Sequence, residues 1–456
     1  MNMKKTKNAE HTARIIVLIL FVCLVLSLSV CAVIFSAIGG GEPLPREEIA
    51  ENVEELRSHD TGRSSAAAYL GDLGISGFDA LKLKTVERYF KSYSDLTLPT
   101  DRELAILTAE YFLDFYYDSV DLSDRAALTD ALLVCYVDAT GDKYAFYRTK
   151  EQYEEYNEEM SGSFVGIGIR VIYDENDKTL LITDVINDSP AEAAGFLKGD
   201  YIHAVDGKTL AELGYDATVS AIRGEAGTDV NVTVLRGSEY VDLTATRASV
   251  VDVSVEYSLD GDGIGYIAIS SFKENTPEQF YRAVDYMMEN GAVGIIFDLR
   301  DNPGGYLISV VDMIDYLAPE GARIASYVSR ADGETVYISD DGHGLALPIT
   351  VIFNENTASA GELFAAAIRD YGDMGYFPVT TVGEVTYAKG VMQSTVYLSD
   401  YSALTFTVAH YNPPSNVNYD GIGVIPDVEV LESDDGTDAQ LECAYSELLV
   451  LIGAQN

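Results

Sequence analysis

Short apolar runs alternate with helix-forming stretches through the second half of the chain, and this alternation restricts the fold more than any other feature. Three runs have the length and composition of strands: 265–269, 295–299 and 349–354. Stretches with helical spacing separate or follow them, from Thr276 to about Gly291 and from Tyr306 to Leu317. Because strand–helix–strand units form parallel crossovers, the sequence predicts an α/β core with a largely parallel sheet over residues 249–435.

The region before this core has a different pattern, with strand-like runs interrupted by glycines. The runs are 164–171, 180–182 and 230–234. Between them, Ser189 and Glu192 form a capping box, Pro190 suits a first helical position and Gly195 suits a C-terminal cap. The pattern predicts a small β module over 161–248 that contains one short helix.

The remaining segments outside the N-terminal region are expected to be helical or polar. Residues 39–100 are polar and contain Gly and Ser, which is typical of a spacer with loose helices. Residues 101–160 have helical spacing of apolar side chains, so we expect a helical segment there. The chain is expected to end in a C-terminal helix over 436–456.

An apolar run lies close to the N-terminus. The 24 residues from Ile15 to Ile38 include no charged side chain, and a helix needs about 20 residues to cross a bilayer. Basic residues within 1–14 precede the run and acidic residues follow it. The sequence therefore predicts a single-pass anchor at 15–38 in the cytoplasmic membrane, with a cytoplasmic tail at 1–14 and the remainder extracytoplasmic.

Three other interpretations of the apolar run are weaker. A cleaved signal peptide would have a shorter apolar region and a clear A-x-A site. A lipoprotein could use Cys31, but Val30 is bulky for the position before such a cysteine. A buried soluble helix would not be apolar on every face.

Charge and side-chain counts exclude several functions. The chain has 73 Asp and Glu against 30 Lys and Arg, a formal net charge of −43, which argues against nucleic-acid binding because phosphates require a basic face. Its four Cys form no C-x-x-C pair, and its five His form no H-E-x-x-H motif. The sequence predicts no metal ion and no organic cofactor.

Three stretches carry residues suited to chemistry, and each has a plain structural alternative. Thr357–Glu362 follows a strand and opens a helix, so Ser359 can present its hydroxyl to a cleft beside free helix N–H groups; Ser359 with Glu362 is also a valid capping box. Arg300–Gly305 holds two glycines that can aim N–H groups at one point, or form an ordinary Pro-Gly turn.

The third stretch, Gly383–Gln393, places Lys389 among apolar and small residues. A lysine amine is a base near neutral pH when burial lowers its pKa from about 10.4 to about 7–8. Gln393 could orient that amine. The structural alternative is a solvated loop lysine. Since no His lies in a suitable motif, an acyl-transfer enzyme here would need a base other than His.

Taken in series, these stretches resemble the carboxyl-terminal processing proteases of peptidase family S41, serine peptidases with a Ser–Lys dyad. Asp298–Gly305 is similar to that family's D-x-R-x-N-P-G-G, Ser359–Glu362 to its S-A-S/G-E, and Thr386–Gln393 to its T-x-G-K-G-x-x-Q. Residues 421–430 resemble its G-x-x-P-D-x-x-V run. The resemblance spans about residues 100–445 and implies a multi-domain α/β protein with a crotonase-like protease core.

The resemblance implies roles for individual residues. Ser359 is the expected nucleophile, Lys389 the general base, and Gln393 the residue that holds the lysine. The expected oxyanion hole consists of the backbone N–H of Ala360 and that of Gly304 or Gly305.

The β module resembles a PDZ domain, which this family carries. The segment Gly166-Ile167-Gly168-Ile169 is similar to its carboxylate-binding loop, whose N–H groups would capture a chain-end carboxylate. The structural alternative for these glycines is a β-bulge. The expected partners are proteins or peptides with free C-termini, and homodimers through helical ends are a further expectation.

Two departures from the family pattern affect the expected dyad. Ala388 stands where the family usually has Gly, and residues 376–379 lengthen the spacing between Ser359 and Lys389. A displacement of about 1 Å can lower a rate roughly 100-fold.

The leading hypothesis is an anchored serine endopeptidase. Two alternatives stay open: a catalytically weak or inactive PDZ scaffold on a protease-like core, and a crotonase-like acyl-CoA enzyme. The outward topology and the PDZ-like module disfavour the acyl-CoA enzyme.

Overall fold

A computed structural model describes residues 46–58, 80–93, 101–121, 124–174, 177–331, 333–340, 344–433 and 436–455. The predicted anchor at 15–38 lies outside these ranges. Within them, no helix combines the length and the apolar content needed to cross a membrane. The described residues divide by their internal contacts into two compact units, with a boundary at Thr149.

The first unit contains the described residues up to Thr149 together with Thr395–Phe406. Its helices are α1 (Arg46–Ser58), α2 (Ala80–Tyr93), α3 (Asp101–Tyr111) and α4 (Arg125–Asp138). A π-helical turn at Phe112–Tyr116 and a 3-10 turn at Tyr117–Ser119 follow α3. Strand β1 (Phe146–Arg148) pairs antiparallel with residues 403–405.

A buried lysine links distant segments of this unit. The Lys82 amine is 2 % exposed, donates to the Tyr147 hydroxyl at 2.6 Å, and pairs with Asp130 at 3.1 Å and Asp400 at 2.8 Å. Burial alone would lower the pKa of Lys82, but the hydrogen bonds to Asp400 and Tyr147 outweigh it, so this pKa is raised. Lys82 therefore stays charged and bound to residue 400, far along the chain.

The second unit contains Lys150–Ser394 and Thr407–Asn456, and it begins with an acidic helix and the β module. The helices of this part are α5 (Lys150–Ser161), α6 (Pro190–Ala194), α7 (Leu210–Leu213) and α8 (Tyr215–Ile222). Its strands are β2 (Ser163–Gly166), β3 (Ile169–Asp174), β4 (Thr179–Val185), β5 (Tyr201–Val205), β6 (Lys208–Thr209), β7 (Asp229–Arg236), β8 (Glu239–Thr246) and β9 (Ala248–Val251).

The module forms an antiparallel sheet in the order β3-β4-β5-β7-β8, with β6 beside β5, and a separate β2–β9 pair. Alternate residues of β7 are buried, as expected when one face of a sheet covers a core. The predicted short helix is confirmed: Ser189 accepts the Glu192 N–H, Pro190 begins the helix, and Gly195 ends it with φ 85°.

The α/β core has a six-stranded sheet in the order β10-β11-β12-β15-β16-β19. All neighbours except the antiparallel pair β10–β11 are parallel. The strands are β10 (Val255–Leu259), β11 (Ile264–Ile269), β12 (Gly294–Asp298), β15 (Ile349–Phe353), β16 (Val379–Gly383) and β19 (Val428–Glu429). The helices are α9 (Thr276–Glu289), α10 (Leu307–Leu317), α11 (Ala360–Asp373) and the C-terminal α12 (Ala439–Gln455).

Four further strands complete the architecture: β13 (Arg323–Ser329), β14 (Gly333–Ile338), β17 (Val391–Tyr397) and β18 (Ala403–Asn412). Residues 409–412 of β18 pair antiparallel with β13. The predicted parallel α/β core is confirmed, as are its central strands and helices. The predicted domain limits stay a prediction; the contact boundary at Thr149 falls inside the predicted 101–160 segment.

Candidate active site

The three stretches singled out in the sequence meet at one edge of the core sheet. Strands β12, β15 and β16 are neighbours and parallel, so their carboxyl ends lie at the same edge. The loops that leave these ends contain Arg300–Gly305, Ser359 and Lys389. Open α/β sheets bind ligands outside the carboxyl ends of their strands, and this edge is therefore the candidate active site.

Ser359 occupies the turn from β15 into α11 with a backbone that L-residues rarely adopt, φ 55° and ψ −117°. Such a conformation costs roughly 1–3 kcal/mol and persists only where the surroundings impose it. Ser359 and Glu362 also form the predicted capping interaction, in which the Glu362 carboxylate accepts the Ser359 N–H at 2.8 Å. The cap and a nucleophile are compatible, because this contact uses the backbone of Ser359.

Glu362 connects the loops of the site. Its side chain is fully buried. One carboxylate oxygen accepts the Thr386 hydroxyl at 2.5 Å and the Ala388 N–H at 2.8 Å, and the other accepts the N–H groups of Ser359 and Lys389, both at 2.8 Å. These four hydrogen bonds offset the cost of burying a charge. The same carboxylate oxygen thus holds the backbone of Ser359 and the backbone of Lys389.

Tyr411 makes a second connection between these loops. Its buried hydroxyl lies 2.7 Å from the Lys389 carbonyl and 3.4 Å from Ser359 Oγ. The structure therefore brings the Lys389 loop to Ser359 through backbone contacts. The pairing of the Lys389 amine with the Ser359 hydroxyl stays a prediction.

Gln393 lies in β17, the strand that follows this loop. Its amide nitrogen is 3.4 Å from the Val391 carbonyl and 3.4 Å from the Thr407 hydroxyl. The expected role of Gln393 in orienting Lys389 stays a prediction.

The glycine loop after β12 supplies the candidate oxyanion hole. The Gly304 N–H donates to Asn302 Oδ1 at 2.8 Å and is therefore already used. The N–H groups of Gly305 and Ala360 have no acceptor among the residues that the structure describes. Of the two expected glycines, Gly305 is thus the better donor, together with Ala360.

Close packing explains both glycines. A Cβ on Gly304 would lie 2.7 Å from Ser359 Cβ and 2.9 Å from the Ala360 nitrogen, and a Cβ on Gly305 would lie 2.1 Å from the Phe272 carbonyl oxygen. Their φ angles are 99° and 148°. An ordinary Pro-Gly turn would not require these contacts. Glycine is needed here because Gly304 packs closely against the Ser359 turn and Gly305 packs closely against Phe272.

Two residues of the stretch Arg300–Gly305, to which the sequence analysis assigned no role, support this loop. Asn302 is buried, and its side-chain amide donates to the Ile269 carbonyl at 2.7 Å. The backbone carbonyl of Asn302 accepts the Ala358 N–H at 2.8 Å. Arg300 contacts the carboxylate of Asp298 and donates to Asp438 at 2.7 and 3.0 Å. The hydrogen bonds from Arg300 hold the pKa of Asp438 below its ordinary value. These contacts attach the loop to β11, to the Ser359 turn and to the start of α12.

The two departures noted in the sequence have different consequences. Ala388 has a φ of 73°, in the left-handed region where a side chain is strained. The lengthened segment 376–379 enters the amino end of β16, whereas Lys389 follows its carboxyl end. Because β16 separates the two, the extra residues lie away from the Lys389 loop.

The predicted carboxylate-binding loop lies between β2 and β3. Ile167 is buried, and Gly168 has a φ of 88°. A Cβ on Gly168 would lie 2.4 Å from Ser189 Cβ, so only glycine fits there. Gly166 and Ile169 line a cavity of about 470 Å³ together with α5 and α8. The role of this loop in carboxylate binding stays a prediction.

Comparisons with known proteins agree with these features. Residues 263–430 match the family model described as Peptidase family S41, and residues 165–246 match that of the PDZ domain. A probable CtpA-like serine protease of Staphylococcus haemolyticus (strain JCSC1435) is 33 % identical over 336 residues, covering 73 % of this chain and 66 % of the relative. The probable CtpA-like serine protease of Staphylococcus aureus (strain COL) is 35 % identical over 317 residues, covering 69 % of this chain and 62 % of that relative.

The chain thus aligns with slightly less than two thirds of the length of these relatives. Among solved structures, the photosystem II D1 C-terminal processing protease is similar at 26 % identity and a TM-score of 0.44, covering 77 % of this chain and 92 % of that one.

Proposed function

The chain belongs to peptidase family S41, and on that basis we propose that it is a membrane-anchored serine endopeptidase that binds protein C-termini and cleaves peptide bonds with Ser359 and Lys389. The observation that carries the proposal is the Glu362 carboxylate, which hydrogen-bonds the backbones of Ser359 and Lys389. A nucleophile and its base need such fixed placement for rapid proton transfer.

The proposed reaction is acyl transfer. Ser359 Oγ attacks the carbonyl carbon of the scissile bond while the neutral Lys389 amine accepts the hydroxyl proton. The N–H groups of Gly305 and Ala360 stabilise the resulting oxyanion, which matters because charge develops there in the transition state. The C–N bond then breaks, and Lys389 returns the proton to the leaving amine.

Water completes the cycle. It attacks the carbonyl carbon of the ester on Ser359 while Lys389 accepts a proton from it. The bond from that carbon to Ser359 Oγ then breaks, Lys389 returns the proton to Ser359 Oγ, and the cleaved chain leaves with a new carboxyl terminus. The substrates we propose are proteins or peptides whose free C-terminus adds to the β module as a strand. No metal or organic cofactor takes part in this scheme.

The proposed location follows from the apolar run. Residues 15–38 would anchor the chain in the cytoplasmic membrane and place the catalytic core outside the cytoplasm. Fractionation with protease accessibility of the core tests this orientation. Protection of the core in intact spheroplasts would contradict it.

A cleavage assay tests the proposed activity. We would incubate the full chain with an unfolded protein ending in small apolar residues and identify fragments by mass spectrometry. The expected result is cleavage by the parent and none by the Ser359→Ala or Lys389→Ala variants. Equal cleavage by the parent and Ser359→Ala would refute the proposed nucleophile.

The strained backbone at Ala388 favours a second candidate, a PDZ scaffold with a weak or inactive core. This alternative predicts that tail peptides bind while no fragment forms. Adding a tail peptide in trans separates the alternatives, because a protease awaiting an activator would then cleave, whereas a scaffold would not.

A further inference from the structure

Tyr411 places a hydroxyl beside the proposed nucleophile. Its side chain is 3 % exposed, and its hydroxyl oxygen lies 3.4 Å from Ser359 Oγ and 2.7 Å from the Lys389 carbonyl oxygen. A phenol hydroxyl has one proton to donate, whereas a carbonyl oxygen can only accept. A distance of 2.7 Å is ordinary for an O–H···O hydrogen bond, while 3.4 Å is long. In the resting chain the Tyr411 proton is therefore directed mainly at the Lys389 carbonyl.

The position of the Lys389 loop is also fixed by contacts that do not involve this hydroxyl. Glu362 accepts the Lys389 N–H at 2.8 Å. The backbone N–H of Tyr411 donates to the Gly390 carbonyl at 3.2 Å, and the Asn418 amide donates to the same carbonyl at 3.0 Å. These hydrogen bonds would remain if the hydroxyl were removed, so holding the loop does not account for a buried hydroxyl next to Ser359 Oγ.

Tyr419 restricts where the Tyr411 ring can lie. The two rings pack edge to face with their centroids 6.0 Å apart, and the Tyr419 hydroxyl lies 3.4 Å from the backbone carbonyl oxygen of Ser359. Burial raises the pKa of Tyr419 well above its ordinary value, so this neighbour stays uncharged. Of the two tyrosine hydroxyls, that of Tyr411 is the one beside the side-chain oxygen of Ser359.

Ser359 Oγ is the atom that gains from a second donor during the proposed reaction. It loses its proton as it attacks the substrate, and it leaves without a proton when the acyl-enzyme breaks down, so negative charge develops on it in both half-reactions. A preorganised donor stabilises developing charge more than it stabilises a neutral hydroxyl. Catalytic hydrogen bonds are often long before substrate binds and shorten afterwards, which suits the distance between Tyr411 and Ser359.

We propose that the Tyr411 hydroxyl is a further catalytic group, whose hydrogen bond turns from the Lys389 carbonyl to Ser359 Oγ as charge develops there. This inference rests on the proposed function, in which Ser359 is the nucleophile. In acylation the Ser359 O–H bond breaks, its proton goes to the Lys389 amine, and Oγ bonds to the carbonyl carbon. In deacylation the C–Oγ bond breaks and Lys389 returns the proton to Oγ. Tyr411 keeps its own proton throughout.

The test compares Tyr411→Phe with the parent in the full chain. Rapid mixing with acetyl-Ala-Ala p-nitrophenyl ester gives the acylation rate from the release of p-nitrophenolate, and the steady state gives the deacylation rate. Both rates should fall about 30-fold, because the lost donor acts on Oγ in both half-reactions. KM should change by less than about twofold, since the ratio of the two rates is preserved.

Tyr371→Phe is the matched control. Tyr371 is fully buried near the carboxyl end of α11, and its hydroxyl donates to the Arg323 carbonyl at 3.0 Å. Each variant removes a buried hydrogen bond from a tyrosine to a backbone carbonyl, so urea unfolding should show similar losses of stability. Tyr371→Phe should keep both rates within about twofold of the parent, because about three helical turns separate it from Ser359.

The pH profile separates a catalytic role from a role in placing Lys389. The rising limb of the acylation rate reports the titration of the general base. In Tyr411→Phe the plateau should fall while the midpoint stays within about 0.3 pH unit of the parent's. A larger shift of the midpoint would show that the environment of Lys389 has changed, and it would overturn the inference.

A second variant keeps the hydroxyl and the size of the ring. Site-specific Tyr411→3-fluorotyrosine makes the hydroxyl a stronger donor, so its acylation rate at about pH 7 should equal or exceed the parent's. A clearly lower rate would overturn the inference, as would parent rates in Tyr411→Phe while Ser359→Ala is inactive. Hydrolysis of the ester by Ser359→Ala at the parent rate would instead overturn the proposed function.

Discussion

Glu362 is a buried carboxylate with four hydrogen-bond donors, and those donors come from the Ser359 turn and the Lys389 loop. A carboxylate has only acceptors, so it satisfies all four donors at once. The neutral amide of a glutamine has the same shape, but its NH2 group would place two donors against the four donors that surround this site. The position of Lys389 relative to Ser359 thus depends on this charge.

The Glu362→Gln variant should therefore lower kcat by roughly 100-fold or more, with a smaller change in KM, because the lysine loop moves away from the nucleophile. Stability should fall by about 1–3 kcal/mol from the unsatisfied donors. Steady-state kinetics and urea unfolding measure both effects. Glu355→Gln, an exposed change on the preceding loop, is the control. Parent-like kcat in Glu362→Gln would contradict the assigned role.

Ala388 provides a test of backbone strain at the site. Its φ of 73° costs an alanine about 1–2 kcal/mol that a glycine does not incur, while glycine loses more chain entropy on folding. We expect Ala388→Gly to raise the free energy of unfolding by about 0.5–1 kcal/mol. Ala366→Gly, within α11, should instead lower it by about 1 kcal/mol. Destabilisation by both changes alike would show that strain at Ala388 is not relieved.

At the scale of elements, the strand ends of the core sheet explain why sequence patterns located the site. Apolar runs predicted β12 and β15, and parallel crossovers bring their carboxyl ends to one edge. That reasoning reached Ser359, Lys389 and the glycine loop. It did not reveal which glycine N–H is already used, because the acceptor, Asn302 Oδ1, depends on the side-chain geometry of a turn.

Other parts of the site were not predictable because they join distant segments. Glu362 was identified only as a helix cap, and nothing in its neighbours indicated the four donors that surround it. Tyr411 is one of 31 tyrosines in the chain and lies in a strand with no motif. The apolar residues Leu363 and Phe364 directly after Glu362 could have indicated that its side chain is buried, but not which donors it meets.

The link between Arg300 and Asp438 predicts a pH dependence of stability. The pKa of Asp438 is lowered in the folded chain, so its contribution is present above the unfolded value of about 4 and is lost as pH falls below it. Asp438 also accepts the Leu441 N–H at 3.0 Å just before α12 begins. Asp438→Asn keeps a side-chain oxygen for this cap and removes the charge.

The parent should exceed Asp438→Asn in unfolding free energy by up to about 1 kcal/mol at pH 7, a modest figure because Asp438 is 43 % exposed. The difference should vanish near pH 3. Urea unfolding of both proteins across this range measures it. A difference that grows on acidification would contradict the assigned sign.

At the scale of the whole molecule, Thr395–Phe406 belongs by its contacts to the first unit although it lies about 250 residues beyond Thr149. No local pattern predicts such a return of the chain. Lys82 binds this returning segment through its ion pair with Asp400. Asp130 and Tyr147 also contact the Lys82 amine and complete a cluster of four side chains. The long-range pairing follows from side chains that meet only in the folded state.

Replacing Lys82 with Met should destabilise the protein by about 1–3 kcal/mol, because two carboxylates would lose their cation. The loss is moderate because the Asp130 and Asp400 side chains are 30 % and 52 % exposed and stay partly hydrated. Thermal unfolding measures the loss. Combining Lys82→Met with Asp130→Asn and Asp400→Asn should restore part of the lost stability, since the two carboxylates are then removed together with their cation. Loss of stability that increases further in the triple variant would contradict this role for the cluster.

The proposed mechanism requires that Ser359 forms the acyl-enzyme and that Lys389 activates the Ser359 hydroxyl. The most direct measurement is rapid acid quenching of the full chain with a peptide ester, followed by intact-mass and peptide-level mass spectrometry. We predict an acyl adduct on the peptide that contains Ser359, absent in Ser359→Ala and formed at least about 100-fold more slowly in Lys389→Met. An adduct on another residue, or hydrolysis of the ester at the parent rate by Ser359→Ala, would contradict this mechanism.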